Sequence, residues 1–338
     1  MNKALDVIGV GSLVVDIFTD SPYMIIELRQ RRKESLIALP TEKILSKVTI
    51  RGGGSSGNTV AYLSRLGLRC GYFTKLGYDI FSEFLINDLK RFKVDVSHIL
   101  RETNVEAGKS VIVSSLGLKD HALIVDHGAA DMLTVSDFKK NLNYLLSTKW
   151  LDITSFTNRK AIEGIKFLVR EAKKNGINVF FAPSKTMIIN FQTLCKEILK
   201  NVDVISLNEE ELLLLFKKKS LEKGLKALKK SKLKYAFVTR GKNGIISMFE
   251  KKFYKIGAYK VKDVKNTTGA GDIAASWFLY GIIKKYSIKR ILNYAAVAAA
   301  FHVKKNVVGA REALPSKREI EKYLEKVRNL PVKEIKVG

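Results

Sequence analysis

Cysteine is nearly missing from this chain. Its two copies, Cys70 and Cys195, lie far apart in segments that read as a strand and a helix, so they are expected as buried free thiols rather than a disulfide. No pair of Cys or His has zinc-ligand spacing. No apolar run reaches the roughly 18–20 uncharged residues that a membrane span needs. The first residues lead straight into a strand-like segment with no leader-type apolar stretch, and the expected location is cytoplasmic. Repeats, low-complexity tracts and Pro/Gly/Ser linkers are also missing, which favours one continuous domain over residues 1–338. Acidic residues are scarce, 33 against 60 Lys and Arg, for a net charge of +27. Such an excess suits a polyanion partner. The basic clusters, Lys217-Lys218-Lys219 and Lys229-Lys230, however, carry no interleaved aromatics, and no zinc finger or RNP-like motif accompanies them. The charge therefore reads as solvated surface, and nucleic acid is not the expected partner.

What is present is an ordinary globular composition, 46% hydrophobic over 338 residues, enough for a sizeable core. Val7-Ile8-Gly9-Val10-Gly11 reads as a buried strand opening into a loop, and Gly71–Gly77 as the next strand. An amphipathic helix follows Gly52–Asn58 through Leu66, and another covers 80–92. Residues 110–114 and 121–125 flank a turn and read as a hairpin. Beyond them strands at 150–153, 178–181, 204–207 and 236–239 alternate with helices, the pattern of a parallel sheet covered on both faces. The early β-rich pieces do not fit that alternation and are assigned to a small separate sheet, a lid formed by about 17–50 and 106–127.

The stretch Asn266-Thr267-Thr268-Gly269-Ala270-Gly271-Asp272 precedes an apolar helical segment. It is therefore a loop feeding a helix N-terminus, where unpaired N–H groups and the macrodipole attract anions. Gly269 and Gly271 let a phosphate approach the backbone. Asp272 is either a helix cap or a base that takes a proton from a hydroxyl attacking a phosphoryl group.

This stretch resembles the second signature of the PfkB (ribokinase-like) carbohydrate kinase family. Gly53-Gly54-Ser55-Ser56-Gly57-Asn58, with Ala61 and Leu63–Gly67, resembles the first. Shorter matches follow in order: Gly9–Ser12 with Asp16, Gly77-Tyr78-Asp79, Asn208–Glu211, Val238–Gly244 and Leu314-Pro315. The resemblance covers nearly the whole chain. It implies a ribokinase-like three-layer α/β sandwich with a mostly parallel central sheet and a small β-sheet lid. It implies an ATP-dependent phosphotransferase with Asp272 as base and Gly269, Ala270 and Gly271 as the anion hole. Asp16, Gly53, Gly54 and Asn58 would bind the acceptor, although Asn58 also reads as a helix cap. Asn208 and Glu211 would organise Mg²⁺, or simply begin a helix with acidic residues. Thr239, Gly241, Gly244 and Thr268 would border the nucleotide. No Walker A lysine motif is present, consistent with a family that grips phosphates by a helix N-terminus. Relatives also dimerise through lid edges, so a homodimer is one implied arrangement.

Three positions depart from the family pattern. Asn266 stands where an Asp usually helps form a monovalent-cation site, which leaves K⁺ activation open. Val14 replaces an Asn that ribokinase places two residues before its substrate Asp. Ala182-Pro183 replaces the frequent Asp-Pro and is similar to adenosine kinases. The acceptor stays open among a sugar, a sugar acid and a nucleoside, with an inositol or sugar phosphate as further readings. A catalytically silent binding protein is the rival outside the kinases.

Overall fold

The computed structural model describes residues 5–21, 25–29, 34–38, 46–115, 121–262, 264, 267–305 and 307–337. Asn266 and the turn at 116–120 lie outside the described residues, as do parts of the expected lid between 22 and 45.

A nine-stranded sheet forms the centre. From one edge it runs Cys70–Phe73, Leu5–Val10, Thr148–Ile153, Asn178–Phe181, Val204–Asn208 and Tyr235–Thr239, all parallel. It continues antiparallel through Ile245–Phe249, Lys252–Ile256 and Lys333–Ile335. The parallel strands are short apolar runs because helices cover both their faces. The helix Arg159–Lys174 shows the pattern that places such a cover: Ala161, Ile162, Ile165, Leu168, Val169 and Ala172 fall on one buried stripe. It packs with the helices Lys185–Leu199, Glu209–Phe216 and Leu221–Lys230 into one core. The opposite core holds Ser55–Arg65, Ile80–Arg91, Ala270–Ile283 and Ile288–Lys305. Ala270–Ile283 is buried continuously from Ile273 to Gly281, so its sequence is apolar on every face. Cys70 and Cys195 are buried free thiols.

The strands expected at 150–153, 178–181, 204–207 and 236–239 all appear in the parallel part of the sheet. The segment 71–77 behaves differently. Its central-sheet strand ends at Phe73, and Lys75-Leu76 pairs instead with Leu100-Arg101. Lys75 is buried and ion-paired to Glu102 at 3.1 Å and Asp137 at 3.2 Å, a pair of long-range partners that redirects the chain.

A second, four-stranded sheet has the order His121–Gly128, Ala107–Ser115, Val14–Ser21, Lys47–Gly53. The 107–115 and 121–128 strands are the expected hairpin. Val14–Ser21 lies between partners that are distant in sequence, parallel to 107–115 and antiparallel to 47–53. Asp79 anchors this sheet to the body: it caps Ile80–Arg91 and accepts from the Ala107 N–H at 2.9 Å.

Candidate active site

The carboxyl ends of parallel strands lie along one edge of the sheet, where open α/β folds leave a crevice. Leu5–Val10 delivers Gly11 and Ser12 there, and Val204–Asn208 delivers Asn208 beside its register partner Thr239. Two helix N-termini converge on the same region, and neither carries a side-chain cap: Ser55–Arg65 begins after Gly54, Ala270–Ile283 after Gly269. Both glycines have positive φ, 99° and 83°, which a side chain rarely tolerates.

Asp272, half-buried, occupies the third position of its helix. It does not cap that helix. Its Oδ2 accepts from Asn58 Nδ2 at 2.9 Å, and Ser55 adds a second side-chain hydrogen bond. Burial pushes the Asp272 carboxyl above its ordinary value, opposed by Asn58, Ser55, His302 and Arg311. Asn58 is likewise not a cap: Gly54 occupies the cap position and Asn58 lies within the helix, its amide committed to tertiary partners.

At the other helix end the Ala270 N–H goes to Thr267 O at 3.1 Å and the Ile273 N–H to Gly269 O at 3.0 Å. Among the described residues this leaves the N–H groups of Gly271 and Asp272 without a backbone partner. A Cβ on Gly271 would meet nothing within 4 Å, so the side of this helix entrance at Gly271 is open. His302 lines the base of this loop. Its Nε2 lies 2.9 Å from Thr268 O, which can only accept, so Nε2 carries the proton. Burial holds His302 below its ordinary value, against the pull of the Thr268 carbonyl and the Asp272 charge.

Asp16 reaches the site from the smaller sheet. Its carboxylate lies against Gly53, where any Cβ would collide with it, and a Cβ on Gly54 would collide with Ser12 O. Burial pushes Asp16 up to about 6, against the pull of Arg311 and a hydrogen bond from Ser110, with Asp272 adding repulsion. Asp16, Gly53, Gly54, Asn58 and Asp272 thus form one cluster.

Asn208 and Glu211 form a capping box on Glu209–Phe216. Asn208 Oδ1 accepts from Glu211 N at 2.8 Å, and Glu211 Oε2 from Asn208 N at 2.7 Å. One Glu211 oxygen remains outside the box. Burial, then the Asp272 charge, raise Glu211 to about 7, which places it within electrostatic reach of Asp272. Among the described residues no group of three or more His, Cys, Asp or Glu could hold a metal directly. The Glu211 carboxylate, which also receives the Lys185 backbone N–H, fits a water-rich Mg²⁺ shell held from outside rather than direct ligation. Thr239 leads into a tight turn where Gly241 and Gly244 have φ of 52° and 84°, and a Cβ on Gly244 would strike Ile256 O. No hydrogen bond joins this turn to Asp272 among the described residues.

Two neighbours of this cluster escape a reading of the motifs. Arg311, 4% exposed, donates from Nε to Asn58 Oδ1 at 3.1 Å and from Nη2 to Gly53 O at 2.8 Å. Asp152 lies in the central sheet and receives Ser56 Oγ at 2.8 Å. An acid inside the apolar run Trp150–Ile153 is a signal for the second. Arg311, among small residues near the C-terminus, has no comparable local signal.

The sequence model of the pfkB family carbohydrate kinases matches residues 23–316. A 5-dehydro-2-deoxygluconokinase of Clostridium perfringens is 28% identical over 291 residues, covering 81% of this chain and 84% of that protein. A ribokinase of Bacillus subtilis is 26% identical over 272 residues, covering 80% and 87%. The crystal structure of a putative ribokinase II from E. coli in complex with ATP and Mg²⁺ superposes with a TM-score of 0.77 at 20% identity, covering 95% of this chain and 99% of that one.

Proposed function

This chain belongs to the pfkB family of carbohydrate kinases, and from that premise we propose that it transfers the terminal phosphoryl group of ATP to a hydroxyl of a sugar or sugar acid, with Asp272 as the base. The observation that carries the reading is the juxtaposition of Asp272, held by Asn58, with a helix entrance whose Gly271 and Asp272 N–H groups have no backbone partner among the described residues and which is open at Gly271. The named relatives support a sugar or keto-sugar-acid acceptor.

In this reading the acceptor lies between Asp16, Gly53, Gly54 and Asn58. Asp16 and Asn58 supply an acceptor and an amide that discriminate hydroxyl-bearing ligands. As the acceptor oxygen bonds to the γ-phosphorus, its proton passes to Asp272. The bond from that phosphorus to the β,γ-bridging oxygen breaks, and ADP leaves. The Gly271 and Asp272 N–H groups stabilise the transferring group. A carboxylate raised from its ordinary value by burial is a stronger base than a solvated one. Mg²⁺, when bound, neutralises charge developing on the phosphates; Asn208 and Glu211 would orient its water shell. Thr239, Gly241, Gly244 and Thr268 would border the nucleotide. The smaller sheet would serve as a lid that excludes water. Its face opposite Asp16 carries a row of register neighbours, Ile50, Ile17, Val111 and Ile124. Ile50 and Ile124 are 41% and 65% exposed, which supports a second copy of this chain as the partner there.

The test is ADP release with ATP and Mg²⁺ across sugars, sugar acids, inositols and nucleosides, with Asp272→Ala alongside. The expected result is strong turnover on one acceptor class and a loss of at least about 10²-fold in kcat in the variant. An Asp272→Ala protein with near wild-type turnover removes Asp272 from the base role. Bound ATP with no turnover on any acceptor favours a silent binding protein.

A further inference from the structure

We propose that Arg311 is a positioning residue of this site: it fixes which way the Asn58 amide faces, and through that amide holds Asp272 in its proton-accepting form. The inference rests on Asp272 being the base.

An Asn side chain has two nearly isosteric ends, an oxygen that accepts and an NH₂ that donates. Facing a carboxylate, one end attracts and the other repels. Nothing in the 55–65 helix itself selects between them. Arg311 does, because a guanidinium can only donate. With Nε on Asn58 at 3.1 Å, the Asn58 atom facing it is the oxygen. The NH₂ is thereby directed to Asp272 Oδ2 at 2.9 Å.

Arg311 is itself held on three sides. Nη2 donates to Gly53 O at 2.8 Å, and Nη1 pairs with Asp88 at 2.5 Å. The Asp88 side chain is 8% exposed and also receives Arg91 at 2.9 Å. The glycines of the first motif clear the path. A Cβ on Gly57 would collide with Nη2, and a Cβ on Gly52 would collide with Asp88 and lie 2.5 Å from Nη1. The run Gly52-Gly53-Gly54 thus makes room for the Arg311–Asp88 pair, for Asp16, and for the Ser12 carbonyl in turn.

The groups that act on Asp272 are Ser55 and Asn58 from one helix, His302 from another, Arg311, and the carboxyls of Asp16, Asp152 and Glu211. Arg311 supplies the guanidinium, the one permanent positive charge of that set. Losing it removes both a counter-charge and the amide lock, and both changes favour the protonated acid.

The experiment compares Arg311→Met and Arg311→Lys with the unaltered chain by two readouts. The first is the acidic limb of kcat/KM against pH. The second needs no acceptor: the difference in unfolding free energy between each protein and its own Asp272→Asn derivative, followed from pH 4 to 9, traces Asp272 titration. In Arg311→Met the midpoint is expected to rise by about 1–2 pH units, the size of one hydrogen bond to a charged acceptor. kcat/KM then falls about tenfold on the acidic side of the unaltered chain's midpoint and recovers above the shifted one. Arg311→Lys keeps a charge beside Asp88 but not the fork, and should give a smaller shift in the same direction; it carries the comparison if Arg311→Met does not fold. Asn58→Ala combined with Arg311→Met should shift the midpoint by less than the sum of the two alone. A folded variant with an unmoved midpoint, losing activity equally at every pH, overturns the proposal and leaves Arg311 a structural prop. If no acceptor turns over even in the unaltered chain, the kinase reading fails, while the unfolding titration still decides what Arg311 does to Asp272.

Discussion

Asp152 offers a test of the electrostatics beneath the site. It is fully buried, in register with Gly9 on one side and Phe180 on the other. Oδ2 receives Ser56, whereas Oδ1 has no partner among the described residues. Burial pushes the carboxyl up to about 8; the Ser56 hydrogen bond opposes this and the Asp272 charge adds to it. The unfolded chain titrates near the ordinary value of 3.8, so between these limits the folded state holds a proton that the unfolded state has released. Stability contributed by this group is full below pH 4 and is lost as pH rises toward 8. Each unit in that window costs about 1.4 kcal/mol, so Asp152 alone removes about 3 kcal/mol between pH 5 and pH 7. Asp152→Asn abolishes the titration and keeps an acceptor for Ser56. It also places an NH₂ where Oδ1 finds no partner, at a cost of about 1–3 kcal/mol. Near pH 5 the two effects roughly cancel. By pH 7 the variant is the more stable protein by about 1–3 kcal/mol. Urea unfolding of both proteins at half-unit steps from pH 5 to 8.5 measures the difference. Asp16, Glu211 and Asp272 titrate in both proteins and largely cancel. A stability difference independent of pH would refute the reasoning, because Asp152 would then ionise alike in the folded and unfolded chains.

Other outcomes follow from the same geometry. Asp272→Asn should lower kcat by at least about 10²-fold and yet raise the thermal midpoint at pH 7, because burial makes the ionised carboxyl costly to the fold; a lowered midpoint would contradict the direction of its shift. Gly271→Ala places a methyl in open space on a helix, so stability should hold or rise by up to about 1 kcal/mol. Turnover should fall at least about tenfold if phosphate occupies that space, and unchanged kinetics would move the anion site elsewhere. Ile124→Lys charges the exposed row of the smaller sheet; sedimentation should show a dimer in the unaltered chain and a monomer in the variant, and identical behaviour would exclude that face.

Much of this protein is local in origin. Apolar runs of four or five residues with intervening amphipathic stretches specified the parallel strands and their helices, because burial on two faces or on one stripe leaves a short-range pattern. The Asn208–Glu211 capping box is equally local, its partners three residues apart. Gly269–Asp272 was legible as a helix entrance because a turn followed by an apolar helix is written in adjacent residues. Tertiary structure alone decided the rest. Lys75 left the strand pattern for acids at 102 and 137. Val14–Ser21 found its neighbours at 47–53 and 107–115. Asn58 proved to be a link rather than a cap, its amide oriented by an arginine 253 residues away. Asp152 is marked locally by its place in an apolar run, but its raised titration comes from a burial that only the folded chain creates. Periodicity is a property of the segment, whereas the direction of a hydrogen bond and the desolvation of a charge depend on what the folded chain brings alongside.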